Sequence, residues 1–268
     1  MGNDATWDGE TGRIVTPEPA DVVVHLAGRN VGTRWTARVK REIWDSRVPA
    51  TERLCGYLAR LPAERRPRVL IAASAIGVYG DRGDEVLTEA SAVAEQGRSF
   101  LADLCRAWEA ATQPAADAGI RVVTLRIGVV LAREGGALAK LAGPVKWGLG
   151  GPVGSGTQYL SWISRTDLCR LMVRAAEDEA VRGIVNGVGP APVRQHEFIR
   201  TLGKVLRRPT VFPLPSLMVR AVFGQMGVEA LLSSQRVRAT RLPAGFAFEH
   251  GTLEGAMRGE LGMPAARG

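Results

Sequence analysis

The chain has 268 residues, 46% apolar and 23% charged, enough to bury a large core and too apolar for a disordered polymer. The formal charge is +8, but only Lys40, Lys140, Lys146 and Lys204 are lysines, and the arginines are dispersed rather than clustered as a nucleic-acid backbone would require. No run approaches ~18 uninterrupted apolar residues, which argues against a membrane span. The first dozen residues, MGNDATWDGETG, are polar, unlike a secretory leader. Three widely spaced cysteines (Cys55, Cys105, Cys169) give neither a disulfide framework nor a zinc pattern, and a reducing, cytoplasmic setting is expected. His196 and His250 are isolated, so no metal site is expected.

In chain order, 21–27 (DVVVHLA) reads as a buried parallel strand and 36–60 as a helix interrupted or kinked at Pro49. The run 68–73 (RVLIAA) is a second buried strand leading into the SAIGVYG loop; 98–118 is a helix stopping before Gly119, and 121–132 a third strand. Strand and helix alternating at this spacing predict an α/β fold with a doubly wound parallel sheet. Beyond 133, the Gly-rich 143–156 reads as a long loop, 158–164 as a strand and 165–178 as a helix. A small C-terminal α/β lobe follows, with a short strand near 184–186, a helix over 194–206, the Pro-punctuated RRPTVFPLPSL and a last helix in GTLEGAMRGEL.

These segments resemble an extended short-chain dehydrogenase/reductase of the NAD-dependent epimerase/dehydratase superfamily, in the atypical "epimerase family protein" branch. The carrying residues are HLAGRNVGTRW (25–35), SR (46–47), ASAIGVYGD (73–81), FLADLCRAWE (100–109), LRIGVVL (125–131), GGAL (135–138), SGTQYLSWI (155–163), LGKVLRRP (202–209) and RLPAGFAFEH (241–250). The resemblance implies a Rossmann-like fold, NADP(H) as cofactor and a small-molecule substrate, with neither a membrane nor a nucleic acid as partner. It divides the chain into an incomplete NAD(P)-binding domain, 1–180, and a substrate-side lobe, 181–268, interwoven through the 143–164 loop. The family normally opens with a strand and a GxxGxxG turn whose helix N-terminus holds the pyrophosphate. This chain starts just before the family's fourth strand, so three readings stand open: a start lying upstream, a remnant, or a missing wall supplied by a partner such as the second copy of a homodimer. As written, the chain leaves DVVVHLA as an uncovered apolar edge strand.

Hydride-transfer members of the superfamily use Ser with YxxxK. Here Tyr57, Tyr79 and Tyr159 are followed four residues on by Leu61, Gly83 and Ile163, so YxxxK is absent. Matched residue by residue, Leu101 stands at the Tyr position, Cys105 at the Lys position and Arg47 at an upstream Asn position, while Ser74 matches the retained serine. By that resemblance Ser74 hydrogen-bonds a substrate carbonyl; the plain alternative is a loop serine satisfying local N–H groups. Cys105 is either an acid, with a free thiol pKa of about 8.5, or a small buried hydrophobe. Arg47 either grips a phosphate or ribose or is a solvated helix charge. Tyr79 lines a substrate pocket or packs its loop. His25, inside a strand, reads as a core histidine. Leu26, Ala27 and Gly28 are expected to face the cofactor with Ala73, and Arg126, Ile127 and Gly128 to approach the nicotinamide. Gln158 and Trp162 are expected on the substrate side. The family's His-x-Asp-Asp stretch after SWI is reduced here to Asp167. Two functions follow as expectations: an NADP(H)-linked oxidoreductase or nucleotide-sugar-type epimerase, or a non-catalytic protein that keeps part of the fold for binding.

Overall fold

The computed structural model describes residues 20–264 and, before them, a strand pair, β1 (Thr6–Trp7) with β2 (Ile14–Val15). The centre is a four-stranded parallel sheet made by β3 (Val22–His25), β4 (Val69–Ala75), β6 (Arg121–Ile127) and β10 (Gly183–Gly187), in the order β10-β6-β4-β3. Apolar β-branched runs form these strands because both faces are covered. On β4, Val69 and Ile71 pack towards helix α6 (Arg165–Glu177). Leu70 and Ala72 point the other way, onto α2 (Val48–Arg60) and α4 (Gln113–Asp117). That alternation is the period-two geometry of a strand. The expected α/β class and parallel sheet are therefore present.

Helix boundaries differ from the sequence reading in instructive ways. The stretch 36–60 is two helices, α1 (Ala37–Asp45) and α2, parted at Ser46–Arg47 rather than at Pro49. Pro49 lies in the first turn of α2, where its missing N–H is not needed. The stretch 98–118 is likewise split into α3 (Phe100–Ala110) and α4, with Pro114 in the first turn of α4. The third strand breaks at Gly128. There β7 (Val129–Leu131) leaves the main sheet and pairs with β9 (Trp162–Ser164). The expected loop over 143–156 begins later, because α5 (Gly136–Lys146) runs through Gly143 and Pro144.

The strand expected to open the small lobe is β10, the outer strand of the main sheet beside β6. The core sheet thus draws on residues beyond 180. The C-terminal segment is tied back by short pairings, β11 (Val193–Arg194) with β8 (Tyr159–Leu160) and β12 (Arg236–Val237) with β5 (Val86–Leu87). The lobe itself holds α7 (Gln195–Leu206), α8 (Ser216–Met226) and α9 (Leu253–Leu261). Two buried carboxylates pin it to the sheet domain. Glu89 accepts from the Asn186 and Thr240 N–H groups, and Asp167 from those of Glu249 and His250. Strand β3 lies at the sheet edge as expected, with Val24 and Leu26 about half exposed. Among the described residues no helix is long and apolar enough to cross a membrane.

Candidate functional site

The parallel register places Ser74 of β4, Arg126 of β6 and Asn186 of β10 side by side at the carboxyl ends of three strands. Partners in register point to the same face, so the three side chains form one polar rung at the rim of an otherwise apolar sheet. The Ser74 hydroxyl donates to Glu109 Oε1 at 2.7 Å. The Arg126 guanidinium closes on the same carboxylate through Nε to Oε1 and Nη2 to Oε2, both 2.8 Å. Its Nη1 donates to the Tyr79 hydroxyl at 3.0 Å. Tyr79 shares its own proton between Asn186 Oδ1 at 2.9 Å and the Thr88 carbonyl at 3.0 Å. Asn186 Nδ2 donates to the Arg238 carbonyl, linking the rung to the C-terminal segment.

This rung is almost dry. Burial by itself pulls Arg126 down, but the hydrogen bonds and charge of Glu109, helped by Tyr79, outweigh it and hold the guanidinium above its ordinary pKa. Burial pushes the Tyr79 phenol up, so it stays protonated at neutral pH. Cys105 is fully buried, and its thiol is pushed up to about 11, first by burial and then by the nearby Glu109 charge. It is held as a neutral thiol among Ile76, Val78 and Leu87.

Arg47 stands at the break between α1 and α2 and reaches across the turn that follows β3. A Cβ added to Gly28 would fall 2.7 Å from Arg47 Cζ, so only glycine lets the guanidinium lie there. Its contacts are an Ile43 carbonyl at 3.3 Å, the Ser46 hydroxyl at 3.4 Å and the Trp108 ring at 5.1 Å. Among the described residues no carboxylate pairs with it. Burial lowers its pKa, with Cys105 acting in the opposite sense. His25 is the expected core histidine. Its Nε2 meets Thr51 Oγ1 at 2.8 Å, the same oxygen that accepts from Trp108 Nε1 at 2.9 Å, and burial lowers its pKa to about 4.

The other expected site residues divide. Leu26, Ala27 and Gly28 do form the open turn at the end of β3, and Ala73 lies buried beside Ser74. Gly128 is a packing glycine: a Cβ there would fall 2.4 Å from the Ser161 carbonyl oxygen. Ile127 packs into the core beside it. Gln158 is buried, and its amide donates to the Val153 and Leu231 carbonyls, so it ties two loops together. Trp162 is buried among Leu131, Leu138 and Phe198, with its indole N–H unbonded. Neither lines the cavity of about 630 Å³ that opens beside Tyr79, between Gly77, Arg82, Arg98, Ser99, Glu229 and Gln235. Gly150 and Gly151 serve close packing: a Cβ at Gly151 would collide with the Phe212 backbone and one at Gly150 with Val145. Among the described residues no cluster of His, Cys, Asp or Glu forms a metal site.

Two residues of this network, Glu109 and Asn186, were not singled out from the sequence. Glu109 lies four residues after Cys105 and eight after Leu101, hence on the same helix face, and that spacing was visible. Asn186 was legible only as one amide in an apolar strand.

A parallel sheet with helices on both faces and a polar rung at the strands' carboxyl ends defines a Rossmann-like protein of the short-chain dehydrogenase/reductase type. The model of the NAD dependent epimerase/dehydratase family matches residues 4–187, and a domain of unknown function (DUF1731) matches 214–259. The chain belongs to the NAD dependent epimerase/dehydratase family. It is 40% identical over 255 residues to an "Epimerase family protein" of Mycobacterium leprae, covering 94% of this chain and 81% of that one. The crystal structure of human epimerase family protein SDR39U1 (isoform 2) with NADPH superposes with a TM-score of 0.83 at 32% identity, covering 91% of this chain and 82% of that chain. A nucleoside-diphosphate sugar epimerase from Corynebacterium glutamicum gives a TM-score of 0.70 at 35% identity, covering 91% of this chain but 46% of the other.

Proposed function

We propose that the chain is an NADP(H)-linked oxidoreductase or nucleotide-sugar-type epimerase acting on a small-molecule substrate. The observation that carries this reading is the Arg47 guanidinium laid across Gly28 without a carboxylate partner, at the strand ends where open α/β sheets bind ligands. Those donors fit a phosphate or a ribose oxygen of a dinucleotide. The NADPH in the human relative's structure supports the choice of cofactor. When bound, the nicotinamide supplies or accepts a hydride.

The chain's own residues would then handle the proton. Leu101 has none to give, and Cys105 keeps its own at neutral pH. Ser74 donates to Glu109, so its oxygen is left to accept from a substrate hydroxyl. A proton leaving that hydroxyl passes to Ser74 as the serine proton passes to Glu109. Tyr79 and Arg126 hold this pair in place.

Titration of NADPH against the 268-residue chain, followed by nicotinamide fluorescence, tests the reading. Saturable micromolar binding is expected; a folded chain that leaves the fluorescence unchanged overturns it. The bidentate closure of Arg126 on Glu109 favours a second reading, a non-catalytic protein that keeps the fold for binding. Turnover of a carbonyl or sugar-nucleotide substrate that is lost in Ser74→Ala eliminates that reading.

A further inference from the structure

Seven of the exposed large apolar side chains stand on segments that carry none of the rung residues. Segments 146–153 and 208–215 run side by side, held by Phe212 N–H to the Gly150 carbonyl at 3.1 Å, Leu214 N–H to that of Pro152 at 2.8 Å and a parallel bridge between Val153 and Leu214. This ribbon presents Trp147, Leu149, Val211 and Phe212 to solvent, Trp147 at 84% exposure. Helix α8 leaves the end of the ribbon directly. Its outward stripe carries Leu217, Met218 and Val222, while Val219 and Met226 face inward. Soluble chains rarely leave so many large apolar groups together without a use for them.

The segments that build this surface carry charge of one sign. Between Glu134 and Asp167, and again between Glu197 and Glu229, the sequence holds no acidic residue. The second interval holds Arg200, Lys204, Arg207, Arg208 and Arg220. Arg207, Arg208, Arg220 and Lys146 are exposed beside the apolar groups, and Arg208 Nε bonds the Lys146 carbonyl at 2.9 Å. The acids at its borders are engaged: Glu254 with Lys204, and Glu229 with the first N–H groups of α3.

We propose that this face docks the protein peripherally on an anionic lipid bilayer. Exposed Trp and Phe on the ribbon, an apolar helix stripe and flanking arginines match what an interfacial segment needs: apolar groups to enter the acyl boundary and cations to meet phosphate headgroups. A second copy of the chain is disfavoured as the occupant, because an isologous contact would set one basic surface against another. The proposal stands independently of the cofactor reading.

Co-sedimentation with vesicles of phosphatidylcholine mixed with phosphatidylglycerol, against phosphatidylcholine alone, tests it. The chain is expected to pellet with the anionic vesicles and to be released by salt. Arg207→Gln with Arg208→Gln, and separately Trp147→Ser with Phe212→Ser, should each weaken partitioning on the order of tenfold. All four side chains are exposed, so an unchanged thermal unfolding curve shows that the fold is intact. A chain that stays in the supernatant with anionic vesicles overturns the proposal. So does equal binding to both vesicle types that is unmoved by the arginine changes. So does a lipid-free dimer that Leu217→Ser with Met218→Ser dissolves, since the occupant would then be a second copy.

Discussion

Arg126 meets Glu109 through two parallel hydrogen bonds of 2.8 Å, with side-chain exposures of 7% and 15%. A pair this dry is neutral as a unit, but either member alone is a buried charge. The α3 face that carries Leu101 and Cys105 also carries Glu109, and that carboxylate is already committed to Arg126 and Ser74.

Removing one member should therefore be costly. Glu109→Gln leaves the Arg126 guanidinium without its counter-charge, and a loss on the order of 3–5 kcal/mol is expected. Replacing both residues by apolar groups of similar volume, as in Glu109→Leu with Arg126→Met, should recover most of that loss. Urea unfolding of the single and double variants measures the difference.

Arg47 gives the opposite expectation. No carboxylate compensates its burial, so Arg47→Met should leave stability unchanged or raise it. The same variant should weaken NADPH binding by roughly ten- to a hundredfold, the value of a charge-assisted hydrogen bond to a phosphate. Parallel fluorescence titration and urea unfolding separate the two effects.

His25 makes stability depend on pH. Burial lowers its folded pKa from 6.5 to about 4. Between those values the unfolded chain binds the proton and the folded chain does not. Stability is thus fully present above the unfolded pKa and falls as pH drops through this window, by up to about 3 kcal/mol at 1.36 kcal/mol per unit. Urea midpoints taken from neutral pH down to pH 4 should show the fall in the parent and a shallower one in His25→Gln.

At Gly128 the constraint is the backbone of Ser161, between β8 and β9. An added Cβ would lie 2.4 Å from the Ser161 carbonyl, where β6 gives way to β7. Gly128→Ala is expected to cost about 1–3 kcal/mol, the usual range for overpacking. Gly119→Val is a poor control because Gly119 has φ of +84°; Gly143→Ala, with nothing near its added Cβ, is the appropriate one. Thermal unfolding compares them.

The cysteines should differ in reactivity. Cys55 and Cys105 are buried, with thiols raised to about 12 and about 11, while Cys169 is exposed. A disulfide reagent on the native protein should titrate one thiol, mapped to Cys169 by peptide analysis, and two more after denaturation.

Much of the sheet was legible in local sequence, because β-branched apolar runs between helix-length segments admit few other arrangements. The motifs also carried the family, and counting alone showed that YxxxK is absent. Element limits were less legible. Pro49 marks a first turn rather than a break, since a proline is tolerated wherever a helix N–H has no partner. Strand β10 was visible as a strand but not as a member of the main sheet, because pairing with β6 is a long-range choice that no local pattern encodes.

The site divides along the same line. Local sequence determined which residue types stand on each element: a serine after a buried strand, an arginine in the next, a cysteine and a glutamate one helical turn apart. Tertiary structure alone decided that Ser74, Arg126 and Asn186 share a rung, that Glu109 closes on two of them, and that Gln158 and Trp162 lie buried. The physical reason is that hydrogen bonds and desolvation act over a few ångströms in space, between groups that lie tens of residues apart along the chain.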